Sequence, residues 1–354
     1  MSIVVDAHQD IAYNSLKYGR DYRRSALVAR THEPAGTPSA TIGLPESIAG
    51  RVAVICATLF VAPAESDWTP TGNEKTYSNP QEAYTYASEQ LDYYDRLADE
   101  SDRITVVKTA ADLDSVVATW SADTPVHLRK QGLVVLMEGA DPIVEPRQFE
   151  EWYARGVRIV GTAWQRTRYS GGTGAPGGLT ALGRELLDVM ASFGALLDVS
   201  HMAEKSFYEA CDHYEGPIFA SHSNPRKFCE TDRHLSDDMI RILAERDGVM
   251  GTVLYNRFLS NTWKRGNPKG DITLKVVADV IDHVCQVTGS AAHVGIGSDF
   301  DGGFGSEMIP LELDTVGDLL VIGKVLRERG FSDADVDAVL SGNMLRKIRA
   351  ALPG

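Results

Sequence analysis

Basic residues are in short supply in this chain: 35 Lys and Arg stand against 49 Asp and Glu, for a formal charge of −14. Nucleic-acid backbones and anionic membrane surfaces are gripped by basic patches, so neither is an expected partner. Cysteine is also scarce. Cys56, Cys211, Cys229 and Cys285 form no C-x-x-C pair and no short spacing, which argues against a disulfide framework or a cysteine-held zinc and suits a reducing compartment. No apolar run approaches the length of a membrane span. No signal-peptide pattern precedes Val4, where the first apolar strand begins. The glycine-rich stretch from Gly171 to Gly178 is interrupted by Pro176 and followed by no Gly-Lys-Ser/Thr, so it is not a phosphate cradle. A flexible loop able to act as an active-site lid is the better reading. The expectation is a cytoplasmic chain whose partners are small molecules, with no nucleic acid, no membrane, and a homodimer left open.

What remains is an ordinary globular composition, 43% hydrophobic and 24% charged over 354 residues, with ample material for a core. Strand and helix patterns alternate almost throughout. Strand patterns begin at Val4, Val52 (to Phe60), Leu133, Val157 (to Ala163), Ala195, Pro217, Gly248 (to Tyr255) and Val294. Most are short, nearly continuous apolar runs, as strands buried on both faces require. Helical patterns cover Pro80 to Asp99, Arg147 to Ala154, Ala181 to Phe193, Ala203 to His213, Ser236 to Glu245 and Thr273 to Val287. Three more close the chain from about Leu313, with Ser332 a good N-cap for the second. A polar insertion runs from Ala64 to Asn79. Eight parallel strands interleaved with helices predict an α/β fold, a single (β/α)8 TIM barrel over residues 1–354 with extra C-terminal helices.

The ends of those strands carry the chemistry. Strand one runs into Asp6-Ala7-His8-Gln9-Asp10, and alternate residues of an extended chain point the same way, so His8 and Asp10 can aim at one point. The others stop at Glu138-Gly139, at Ser200-His201, at Ser221-His222 and at Ser298-Asp299. In a barrel all of these fall on the C-terminal rim. An imidazole beside a hard oxygen is a pair suited to a first-row divalent metal. Three histidines and two carboxylates exceed what one zinc takes and suffice for two metals if Glu138 bridges. Such a pair generates hydroxide from a bridging water and polarises the bond under attack, which leaves Asp299 to move the proton. Asp198, inside strand five, suits an orienting role. His32, His127, His213 and His283 lie in polar or helical contexts and His293 opens a strand at the opposite face, so those five are read as structural. The glycine in Asp299-Phe300-Asp301-Gly302-Gly303 comes too early for an EF-hand.

With these residues in place, the chain resembles the membrane (renal) dipeptidase family of the amidohydrolase superfamily, in a soluble, bacterial-type form. The likeness runs from Val4 to about Leu345 and rests on Asp6-Ala7-His8-Gln9-Asp10, Glu138-Gly139, Ser200-His201, Ser221-His222-Ser223 and Asp299-Phe300-Asp301-Gly302, in order. It implies a two-zinc dipeptidase in which His8, Asp10 and bridging Glu138 hold one ion, Glu138, His201 and His222 the other, and Asp299 transfers protons. It also implies that Arg233 binds the substrate's carboxylate, that Tyr255-Asn256 line the pocket, and that substrates of the form L-Xaa-D-Xaa are accepted. In one departure, Trp164 stands where the renal enzyme has a histidine that reaches the scissile peptide; Arg166 and Arg168 are nearby candidates to replace its electrophilic help. A binuclear hydrolase of another amide, an N-acyl amino acid or a lactone is the alternative activity. A catalytically dead binding barrel is the alternative from outside enzymes.

Overall fold

Val52–Phe60 reads Val-Ala-Val-Ile-Cys-Ala-Thr-Leu-Phe and every residue of it is buried, the pattern of a strand covered on both faces. In the computed structural model, which describes residues 2–66 and 75–354, it is the second of eight parallel barrel strands. These are β1 (Val4–Gln9), β2 (Val52–Phe60), β3 (Gln131–Glu138), β4 (Val157–Gly161), β5 (Leu196–Asp198), β6 (Ile218–Phe219), β7 (Met250–Thr252) and β8 (Val294–Ile296). They lie side by side in chain order, and β1 pairs β8 at Asp6 and Ile296. The seam between β6 and β7 is joined by a parallel bridge from Ala220 to Met250, with Ala220 N–H donating to the Val249 carbonyl at 2.9 Å. The TIM barrel expected from the sequence is therefore present.

Helices cover the outside of the barrel, and their ends follow local signals. Asn79 accepts from the Glu82 N–H, and Pro80 then opens the helix Pro80–Asp99. Thr180 caps Ala181–Ser192, Ser236 caps Asp237–Glu245 and Ser332 caps Asp333–Asp337 in the same manner. Val321–Glu328, Asp333–Asp337 and Asn343–Ala350 are the extra C-terminal helices. One continuous apolar core spans the strands and the inner helix faces, with Tyr94, Trp152, Phe207 and Phe219 among its fully buried side chains.

Three expectations need correction. Strands five to eight are shorter than the segments expected, ending at Asp198, Phe219, Thr252 and Ile296, where the chain enters the rim loops. The short strand Ile104–Val106, which the sequence pattern does not reveal, pairs with the start of β3 below the point where β4 joins. The glycine-rich stretch is not a loose lid: Ser170–Gly172 and Ala175–Leu179 form an antiparallel hairpin packed on the helix Glu204–His213. Its glycines serve close approach, since a Cβ on Gly172 would strike the Gln165 carbonyl oxygen. The polar insertion expected at 64–79 lies partly outside the described residues, and its flanks Ala62–Pro63 and Thr76–Tyr77 pair with each other.

Candidate active site

The barrel gives each candidate ligand a defined place. His8 lies near the end of β1 with Asp10 just past it, and Glu138 is the last residue of β3. His201, His222 and Asp299 each stand three residues beyond the end of β5, β6 and β8. Turning these side chains inward requires unusual backbone. His201, Asp299 and Asp301 are three of the five non-glycine residues with positive φ among the described residues, at 63°, 60° and 64°. Such conformations cost on the order of 1–3 kcal/mol each and persist where the surroundings impose them. Gly139, at φ 83°, lets the chain turn directly after Glu138.

The side chains meet around Glu138, whose two oxygens face different partners. Oε1 lies 3.1 Å from His201 Nε2 and 3.3 Å from His222 Nε2, while Oε2 lies 3.6 Å from His8 Nε2. His8 Nε2 is also 3.8 Å from Asp10 Oδ2 and 3.9 Å from Asp299 Oδ1. Three overlapping donor groups result, Glu138–His201–His222, His8–Asp10–Asp299 and His8–Asp198–His222, each compact enough to close on one cation. Around them, hydroxyls fix the ring and carboxylate orientations. Thr173 Oγ1 sits 3.0 Å from His201 Nδ1, and Thr58 Oγ1 donates to Asp10 Oδ1 at 2.6 Å. Asp198 accepts from Ser221 Oγ at 2.5 Å and from the Ser221 N–H at 2.9 Å; that hydroxyl in turn lies 2.7 Å from His222 Nδ1. Asp198 therefore acts on His222 through Ser221.

Charge is unevenly balanced here. Asp10, Glu138 and Asp299 are all buried, and Arg233 brings a permanent positive charge to them. Burial opposes charge on His8, yet Glu138, Asp10 and Asp299 push its pKa up to about 10. Burial raises Asp10 to about 6 and, helped by Asp10 and Glu138, holds Asp299 well above the usual carboxylate range. Burial also lowers His201 to about 4, with Arg233 adding to it. His8 Nε2 is a buried ring nitrogen with no hydrogen-bond partner among the described residues. Clustered carboxylates in surplus, an orphaned imidazole nitrogen and neutral-leaning histidines on the far side suit divalent cations.

Beside the cluster opens a cavity of about 390 Å³, lined by Tyr13, Phe60 and Trp164 and by Arg233, Tyr255, Arg257, Phe258, Arg265 and Phe304. Trp164 meets Phe60 edge to face at 5.0 Å, and Tyr255 stacks on Phe304 at 4.4 Å. Arg233 is buried, donating from Nη2 to the His222 carbonyl at 2.8 Å, and burial lowers its pKa. The sequence-based candidates Arg166 and Arg168 do not line this cavity. Arg168 is spent on the carbonyls of Ile143 and Val144, and Arg166 bonds the Pro176 carbonyl at 3.3 Å. Asn256 also turns away, to the Ile309 carbonyl, so only Tyr255 of that pair reaches the pocket. Conversely, Arg257, Arg265 and Phe304 give no signal in the sequence, because loop residues carry no periodicity.

The sequence profile of the membrane dipeptidase family, peptidase family M19, matches residues 1–352. The chain belongs to that family. It is accordingly a metallopeptidase that acts on dipeptides. An uncharacterized protein in the pqqA 5′ region of Klebsiella pneumoniae is 33% identical over 227 residues, 61% of this chain and 81% of that one. An uncharacterized dipeptidase of Schizosaccharomyces pombe is 30% identical over 216 residues, 59% of this chain and 51% of that one. A metallopeptidase crystal structure from Rhodobacter sphaeroides, liganded with a phosphinate mimic of the dipeptide L-Ala-D-Ala, shares the fold of this family member. Its TM-score is 0.80 at 22% identity, covering 99% of this chain and 100% of that one. No helix among the described residues of the present chain is long and apolar enough to cross a membrane.

Proposed function

We propose that this family member is a two-zinc dipeptidase that hydrolyses free dipeptides, L-Xaa-D-Xaa among them. The observation that carries this reading is the division of Glu138, one oxygen toward His201 and His222 and the other toward His8. A carboxylate so divided is suited to bridge. His8, Asp10 and Glu138 would hold one ion, and Glu138, His201 and His222 the other. When bound, the ions would supply a hydroxide nucleophile at neutral pH and polarise the scissile carbonyl.

The chain's own residues then do the rest. Asp299, on the rim of the cavity beside His8, takes the proton of the attacking water and delivers it to the leaving amine. The dipeptide and one water thereby become two amino acids. Arg233 pairs with the substrate's terminal carboxylate, and Asp10 receives the free amine. The scissile carbonyl is held between two charged ends one dipeptide apart, which is a positional limit on length. Trp164 and Tyr255 both line the cavity, and their rings would shield the reacting bond from water. The L-Ala-D-Ala mimic carried by the Rhodobacter sphaeroides relative supports a D residue at the carboxyl end.

The test compares one good dipeptide with its N-acetyl form, its C-terminal amide and its tripeptide extension. The free dipeptide should exceed each by more than ~30-fold in kcat/KM, because each change leaves a charged group unpaired. Equal cleavage of the blocked forms would replace this reading with a broader amide or ester hydrolase.

A further inference from the structure

The cavity lining combines two chemistries, although the protein as a whole is acidic. Tyr13, Phe60 and Trp164 form one aromatic patch, with Tyr13 edge-on to Phe60 at 5.3 Å. The lining also carries Arg233, Arg257 and Arg265. None of these three has a carboxylate within ion-pair distance among the described residues, whereas Arg20, Arg30, Arg155 and Arg226 elsewhere each do. Arg257 makes one hydrogen bond among the described residues, a long one of 3.4 Å from Nη1 to the Trp263 carbonyl. Arg265 makes one, from Nη2 to the Gly303 carbonyl at 3.1 Å. Most of their donors are therefore not committed to protein acceptors. Asp232 also lines the cavity, but its carboxylate accepts from the Gly174 N–H at 2.8 Å and is tied to the hairpin.

The arginines are held on one continuous wall. The Arg233 guanidinium lies over the Phe258 ring at 5.5 Å, and Arg257 directly precedes Phe258. Tyr255 packs edge-on to both Phe258 and Trp263 and stacks on Phe304, so the loops after β7 and β8 pack against each other. If Arg233 takes the terminal carboxylate, Arg257 and Arg265, which line the same cavity, are the cations left for the side chain on that same residue.

We propose that Arg257 and Arg265 form a subsite for an acidic side chain, so that the preferred substrates are dipeptides ending in Asp or Glu. The inference rests on the dipeptidase reading with Arg233 at the carboxyl end. An anion placed between two guanidinium groups gains charge-assisted hydrogen bonds that its amide isostere cannot match. These contacts are made before and during the reaction alike, so they lower KM more than they raise kcat.

The test measures Ala-Asp against Ala-Asn and Ala-Glu against Ala-Gln, with both configurations at the carboxyl end and Ala-Ala as reference. The acids should be favoured by about 10-fold or more in kcat/KM, chiefly through KM. Arg257→Gln and Arg265→Gln, prepared separately, should each shrink the acid-to-amide ratio. Equal rates for acid and amide in the wild type, with Ala-Ala cleaved, would overturn the subsite and leave the dipeptidase reading standing. Cleavage of none of the dipeptides would instead sink that reading. An acid preference unaltered in both folded variants would also overturn the assignment to these arginines.

Discussion

Replacing Arg233 by alanine separates substrate recognition from structural support. Its guanidinium donates to the His222 carbonyl at 2.8 Å and to Ser223 Oγ at 3.3 Å, while its Nε has no partner among the described residues. The group is buried, 4% exposed, so a substrate carboxylate arriving there is paired away from water. Truncating one partner of such a pair costs about 2–5 kcal/mol, which corresponds to a loss of about 30-fold to 5,000-fold in kcat/KM. The variant also removes a donor from the carbonyl of His222, and that part of the loss falls on every substrate. The two contributions separate when kcat/KM is measured for a free dipeptide and for its C-terminal amide, on wild type and Arg233→Ala. The amide has no carboxylate to lose, so its rate should drop far less than that of the free dipeptide. Arg233→Lys should recover part of the free-dipeptide rate, because the charge returns without the planar fork. An equal fractional loss on both substrates would refute the assignment and reduce Arg233 to a brace for His222.

Other consequences are as direct. Asp299→Asn should keep its metals and lose at least ~10²-fold in kcat, since the amide cannot accept the proton; near-normal turnover would remove Asp299 from the reaction. Ser221→Ala breaks the link from Asp198 to His222 and should weaken metal binding by about 10- to 100-fold in a competition titration with a chromogenic chelator; unchanged affinity would leave the hydroxyl a purely local role. Proposed as a single domain, the chain should unfold in one calorimetric transition that moves to lower temperature on chelation and returns with zinc. Two separable transitions would contradict it.

The fold is legible in the sequence wherever burial is complete on both faces. β2 is buried throughout and apolar but for Thr58, and β3 is apolar from Leu133 to Met137, so their apolar runs locate both strands. The runs of β5 to β7 overshoot their strands, because hydrophobicity continues through Val199, Ala220 and Val253 past the strand ends. Ala220 still bridges Met250 and the Val199 N–H still reaches the Phe219 carbonyl, so composition does not mark where the regular ladder stops. The hairpin at 170–179 is hidden for a related reason: glycine that permits close packing and glycine that permits motion look alike in sequence. The metal-competent residues are readable because a polar group closing an apolar strand is buried at a cost, which a bound cation or an ion-pair partner must offset. Arg257 and Arg265 are not readable, since only the folded loop brings them to the cavity that Arg233 also lines.

The central claim is a pair of cations sharing Glu138, and diffraction from zinc-soaked crystals at the zinc absorption edge tests it most directly. The account predicts two anomalous peaks, one against His8 and Asp10 and one against His201 and His222, with a Glu138 oxygen beside each. A single peak at saturating zinc, or two peaks with Glu138 beside only one of them, would contradict it.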